Sequence, residues 1–294
     1  MLGDVLSARA LHRATQAAMN ASFDLEWLAR APFRELHPRL RSALEQLDRW
    51  PAPESYDELV RLVPQGPGVE LPRFVTQSRD QLTRVGGYEQ HVARLRSVPT
   101  RPSNWHDFFN MVVWAHFPKL RWALNALHVD PDVGPKDPRN GRAPAQNLAA
   151  TFDESGLLVV STSEELLADL RELRFKRFFW ERRAELGKTT RFWHVGHGTL
   201  ESLLAAHPGL AAKALLLHVP ALPTAPEGWD TLRFQLDERA ADQVSQWRTT
   251  RAVLDPVPVL GIPGYCDNEA AEFYDDAQHF RFERRSRRPG APTT

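Results

Sequence analysis

The sequence predicts a helix-rich α+β protein, and three observations carry that reading. Apolar residues recur at helical spacing through the first sixty positions, with Pro-containing joints between short segments. After Ser103 helical periodicity alternates with short β-branched runs, the mark of a mixed fold. With 42% hydrophobic and 10% aromatic residues over 294 positions, the chain can bury one large core or two joined ones. The expected organisation is an amino-terminal helical subdomain over 1–66 and a mixed α+β core domain over 67–285, with a small sheet packed with helices. A frayed, basic tail is expected over 286–294.

In "LHPRLRSALEQLDRW", Leu40, Leu44 and Leu47 line one helical face. "VPQGPGVELPRFVTQ" is a Gly- and Pro-rich loop leading to an edge strand. Ser103 is the expected N-cap of the next helix, with Asp107 in its first turn. Pro118 should stop that helix by Phe117 and open a second one through His128. In "TFDESGLLVV" the Asp153 to Gly156 stretch has turn chemistry, predicting a hairpin. Further strands are expected at Phe192 to Val195, Ala214 to Val219 and Pro256 to Leu260. Helices are expected at Glu164 to Leu173, Phe175 to Leu186, Thr199 to Ala206 and Asp237 to Trp247.

Lys plus Arg equal Asp plus Glu at 37 each, so no global charge draws the chain toward nucleic acid or an anionic membrane. The single cysteine, Cys266, excludes an intramolecular disulfide and a Cys cluster for zinc, which suits a reducing compartment such as the cytoplasm. No apolar run is long enough to span a bilayer, and the amino end lacks a signal-peptide block.

Four stretches carry candidate chemistry. "NWHDFFNMVVWAHFP" puts His106, Asp107 and Asn110 into an otherwise apolar run, His106 and Asn110 sharing a face; Asn125 and His128 extend a polar stripe on the following helix. Such groups either serve a pocket or bond local backbone and fix the helix entrance. "HVGHGTLE" places His197 between two glycines at a strand-to-helix turn with Glu201 one turn on, where the positive helix end favours a neutral imidazole. The same pattern also fits a capped turn. "TFDESG" offers Asp153 and Glu154; if the segment is extended, adjacent side chains point opposite ways and Asp153 is the better candidate, although a turn Asp bonding its own backbone is the commoner reading, since Asp, Ser and Gly are common turn residues. "RELRFKRFFWERRAELGKTTRFW" interleaves aromatic and basic residues, as in a nucleic-acid surface or as in an amphipathic helix with solvated arginines. There is no Gly-x-Ser-x-Gly elbow, phosphate loop or dinucleotide fingerprint.

Taken with "YEQHV", "FFWERR", "GHGTLE" and "VLGIPGYCDNEAAEFYDDAQHFR", these segments make the chain resemble an uncharacterised bacterial family, the domain of unknown function 3025, from about Tyr88 to Arg281. That family implies no reaction. In its pattern an Arg-Asp pair precedes the Phe-Asp-Glu segment, whereas this chain has Gln146 and Asn147; a functional carboxylate at that place would make this copy altered or inactive. His194 also departs from the pattern and ranks below His197.

Two functions fit these residues. One is a hydrolase in which His106, Asp107, His128 and His197 contribute ligands to a divalent metal, Glu201 or Asp153 handles the proton, and Asn110 lines the pocket, acting on a small-molecule or phosphate-containing ligand. The other is a non-catalytic binding protein whose polar cluster is structural and whose basic-aromatic helix meets a partner, nucleic acid being the least expected. An internal polar pocket is expected between His106 and the Gly196 to Glu201 turn.

Overall fold

The computed structural model describes residues 23–248 and 254–280. It is helix-rich α+β, as the sequence predicts, with two small sheets where one is expected. The described residues form two compact units that interleave in sequence: 23–156, 194–205 and 223–248 make the first, and 157–193, 206–222 and 254–280 the second.

The first unit opens with short helical turns and then α1 (Pro38–Leu44), with Pro at its first position, and α2 (Tyr56–Arg61). β1 (Arg73–Thr76) pairs in parallel with β2 (Ser97–Thr100), and α3 (Arg79–Val85) and α4 (Tyr88–Leu95) make the crossover between them. Gly86, at φ 93°, ends α3 in the left-handed conformation that closes a helix without steric cost. The long apolar run becomes α5 (Trp105–His116), which breaks at Phe117 before α6 (Pro118–Val129), the Pro118 joint being the one anticipated. The cap of α5 is Asn104, not Ser103: the Asn104 side chain accepts from Asp107 N at 3.0 Å, while Ser103 is left in a turn at φ 50°. Residues 144–155 correct a second expectation. "PAQNLAATFDES" is not half of a hairpin but a three-turn helix, α7 (Pro144–Ser155), with Ala145, Ala149, Phe152 and Asp153 on its buried side. After α10 (His197–Ser202), the helix α11 (Pro226–Ser245) packs along α6; it starts well before the expected Asp237 because Pro226 is tolerated at a first helical position.

Aromatic packing holds this unit's core. Trp27, Phe33, Trp105, Phe108 and Phe109 are buried with ring centroids 4.8–6.0 Å apart, mostly edge to face. Such pairs contribute about 0.5–1.5 kcal/mol each beyond their burial. α5 is therefore anchored on its apolar side, and its polar side chains are held in fixed directions.

Apart from the end residues Gly156 and His194, the second unit contains the sheet β4 (Thr190–His194), β3 (Gly156–Ser161), β5 (Ala211–His218) and β6 (Asp255–Pro258), in the order β4-β3-β5-β6. All six residues of β3 are buried, as a central strand requires. β5 and β6 are antiparallel, with α8 (Glu164–Arg171) packed on them. The helix expected at Phe175 to Leu186 is interrupted: Arg177–Glu181 is a π-helical turn, followed by α9 (Arg183–Thr189). The wider turn, closed by Arg182 N to Arg177 O at 3.0 Å, brings Arg182 onto the face of Arg174 and Arg177. All three guanidiniums contact the buried carboxylate of Asp169. Lys176 pairs with Asp275 and Arg183 with Glu269, while Phe175, Phe178 and Phe179 are buried. With Arg171 beside Glu164, the basic-aromatic stretch thus has six of its cations tied to carboxylates of its own unit. The tail over 286–294 lies outside the described residues.

Candidate metal centre

The site forms where the end of α7 meets the turn into α10, beside the first turn of α5, all within the first unit. Three close approaches bring these backbones together. A Cβ on Gly156 would lie 2.4 Å from Phe152 O and 2.7 Å from a Val195 methyl; one on Gly196 would lie 2.2 Å from Gly156 N. A Cβ on Gly198 would lie 2.5 Å from Oε2 of Glu154. A larger residue at Gly156 or Gly196 would push the segments apart, and one at Gly198 would displace the Glu154 carboxylate, so the glycines of "FDESG" and "GHG" serve one junction.

At this junction His106, Glu154 and His197 each present a ligand atom within 4.8 Å of the others. The imidazole centroids of His106 and His197 are 4.3 Å apart at 75°. Glu154 Oε1 lies 3.7 Å from Nε2 of each ring. The other ring nitrogens face carboxylates. His106 Nδ1 meets Glu201 Oε2 at 3.0 Å, and because an ionised carboxylate only accepts, the neutral ring carries its proton on Nδ1 and leaves Nε2 with a lone pair. His197 Nδ1 faces Asp153 Oδ1 at 3.8 Å and has no hydrogen-bond partner.

Electrostatics treats the two rings oppositely. Burial pulls the His106 pKa down, but the Glu201 hydrogen bond and the charges of Glu154 and Glu201 outweigh it, leaving the pKa above the ordinary value. Burial, followed by the positive charges of His106, Arg121 and Arg101, holds His197 well below it, so His197 is neutral near pH 7. The site opens to solvent on one side: 56% of the Glu154 side chain is exposed, against 25% for His106 and 6% for His197.

The other sequence candidates take distinct places. Asn110 accepts from Arg121 at 2.8 Å and donates to the Tyr88 hydroxyl at 2.8 Å, and Arg121 pairs with Asp153. Asp107 turns to Arg101, accepting from its side chain at 2.7 and 3.0 Å and from its backbone N–H. His128 lines a narrow cleft with Glu89, Asn125, Arg121 and Asp153, its pKa lowered chiefly by burial. Among the described residues, the convergent group includes neither Asp107 nor His128. Gln146 accepts from Ala143 N at 3.0 Å and donates to His128 O at 3.0 Å, tying the start of α7 to the end of α6.

Alternation along an extended strand favours Asp153 over Glu154, but the segment is the last turn of a helix, where neighbouring residues project about 100° apart, and Glu154 is the one that joins the cluster. Glu154 reaches both histidines from the solvent side, and Asp153 reaches His197 from the buried side. The 3–4 spacing of Ala145, Ala149 and Phe152 was the available signal.

The geometry is thus that of a cluster of two histidines and one carboxylate, each histidine facing a further carboxylate, on a helix-rich α+β scaffold. The chain belongs to the family described as "Protein of unknown function (DUF3025)", whose model matches residues 72–284. No curated protein and no solved structure matches it. No helix among the described residues is long and apolar enough to cross a membrane.

Proposed function

We propose that the chain is a metal-dependent hydrolase that holds one divalent transition metal between Nε2 of His106, Nε2 of His197 and the carboxylate of Glu154. The observation that carries this reading is the convergence of three ligand atoms within 4.8 Å from three separate elements. Two imidazoles and one carboxylate suit zinc and similar metals, whereas magnesium and calcium prefer oxygen donors throughout. Three protein ligands with a solvent-open side match catalytic sites, which keep a position free, rather than structural ones, which are closed.

A metal bound there would supply a Lewis acid and an activated water for hydrolysis of a small molecule or a phosphate-containing substrate. In this reading Glu201 holds the His106 ring through Nδ1. Glu154, the most exposed of the three, has a second oxygen, beside Gly198, to accept a proton. Asp107 and His128 are not ligands in this assignment.

The test is metal analysis of chain purified without chelator and reloaded with Zn(II), Co(II), Fe(II) or Mg(II), beside His106→Ala, His197→Ala and Glu154→Gln, followed by a screen of ester and phosphoester hydrolysis. One equivalent of a zinc-type metal, lost in all three variants, is expected together with a hydrolysis that depends on it. Absence of metal after reloading, or its retention by the histidine variants, would overturn the metal centre. Fe(II) binding without hydrolysis would redirect the site toward oxygen chemistry.

A further inference from the structure

His106 and His197 are held unequally. His106 Nδ1 has its carboxylate at hydrogen-bond distance, 3.0 Å, but His197 Nδ1 is buried with no hydrogen bond and sees one carboxylate, Asp153, at 3.8 Å. A buried N–H left this way costs free energy unless a partner closes on it. Asp153 is itself the end of a buried chain. It pairs with Arg121, whose Nη2 donates to Asn110 Oδ1 at 2.8 Å, and Asn110 Nδ2 donates to Tyr88 at 2.8 Å. Arginine only donates, so the orientation of the Asn110 amide follows from this chain. Arg121 also lies 5.2 Å from the face of Trp114 and is almost wholly buried, which leaves it little freedom to turn away.

We propose that Asp153 is the positioning residue for His197, held by the Tyr88–Asn110–Arg121 chain, and that it accepts the His197 Nδ1–H when the site closes on a metal, aiming Nε2 at the ion. The inference rests on the metal reading above and adds the means by which the buried ligand is oriented. It also accounts for Asn110 lying on the same face of α5 as His106: one residue supplies a ligand, and the other anchors the arginine that steadies the opposite ligand's partner. Removal of such an outer carboxylate commonly costs 10- to 100-fold in metal affinity.

The experiment is Co(II) titration of the full chain, read by affinity and by the visible d–d spectrum, for wild type, Asp153→Ala, Asp153→Asn and Asn110→Ala. Asp153→Ala should bind about 10- to 100-fold more weakly with an altered spectrum. Asp153→Asn should recover most of both, because its amide oxygen still accepts Nδ1–H, a rescue that loss of general stability does not produce. Asn110→Ala should weaken binding by a smaller factor and broaden the spectrum. Wild-type affinity and spectrum in Asp153→Ala would overturn the positioning role while leaving the metal reading intact. If Asp153→Ala fails to fold, unchanged binding by Asn110→Ala would overturn it. A wild-type chain that binds no Co(II) would remove the metal reading and this inference with it.

Discussion

Gly198→Ala tests the construction of the site with one methyl group. The added Cβ would stand 2.5 Å from Glu154 Oε2 and 3.0 Å from the Glu154 carbonyl oxygen, against an ordinary carbon–oxygen contact beyond 3.4 Å. The nearer atom is the end of a flexible side chain, so the carboxylate gives way by about 1 Å while the backbone shifts by a few tenths. Glu154 Oε1 is at present 3.7 Å from both Nε2 atoms, and a displaced carboxylate no longer bisects them. Ligand bonds near 2 Å tolerate little of this, and misplacement by about 1 Å costs on the order of 100-fold, about 2.7 kcal/mol. The fold should survive: Gly198 is a helical residue, and alanine there gains up to about 1 kcal/mol of helix propensity against the added crowding. The assay is a zinc competition titration beside thermal unfolding of the metal-free chain. Weakened binding at nearly unchanged metal-free stability is expected. Wild-type affinity would refute the reasoning, and so would a loss of several kcal/mol in stability with binding intact.

Other perturbations separate the scaffold from the site. Gly196→Ala, whose Cβ would meet the backbone of Gly156 and Ser155 at 2.2–2.5 Å, should destabilise the chain by about 3 kcal/mol or more, measured by urea denaturation. Asp237, buried on α11, accepts from Lys119 N at 3.0 Å and Leu120 N at 2.8 Å at the start of α6, and burial pushes its pKa up to about 6. Because the folded state then holds this proton more tightly than the unfolded one, its contribution is full below about pH 4 and is lost as pH rises through about 6. Relative to Asp237→Asn, wild-type stability should therefore fall by on the order of 2 kcal/mol across that window, and equal pH slopes for the two proteins would contradict it. Asp169→Ala leaves Arg174, Arg177 and Arg182 without their shared carboxylate. Since two of those arginines are about half exposed, the loss should be about 2 kcal/mol by chemical denaturation, below the range for a fully buried pair.

Local chemistry wrote much of this molecule into its sequence. The Pro118 joint between two helices is legible because proline restricts the residue before it and fits a first helical position whatever surrounds it. His197 at the head of a helix is legible because Gly196 and Gly198 mark a place where backbone must approach something closely. His106 and Asn110 stand out because polar groups in an apolar run need partners. Which partners they find is a matter of long-range geometry. Asp107 lies next to His106, yet the helical rotation between neighbours sends it to Arg101. His106 meets Glu201, 95 positions away, and His197 meets Glu154 only because Gly156 and Gly196 let two backbones touch. The 153–156 stretch carries both turn residues and the end of a helical period, and local propensities of comparable size cannot choose between them. Burial of Ala149 and Phe152 decides for the helix, and that choice sends Asp153 to Arg121 and turns Glu154 toward the histidines. Residue types and their local spacing were thus determined by the chain itself, whereas the convergence of ligands depended on contacts between distant segments, whose free energy belongs to the packed core.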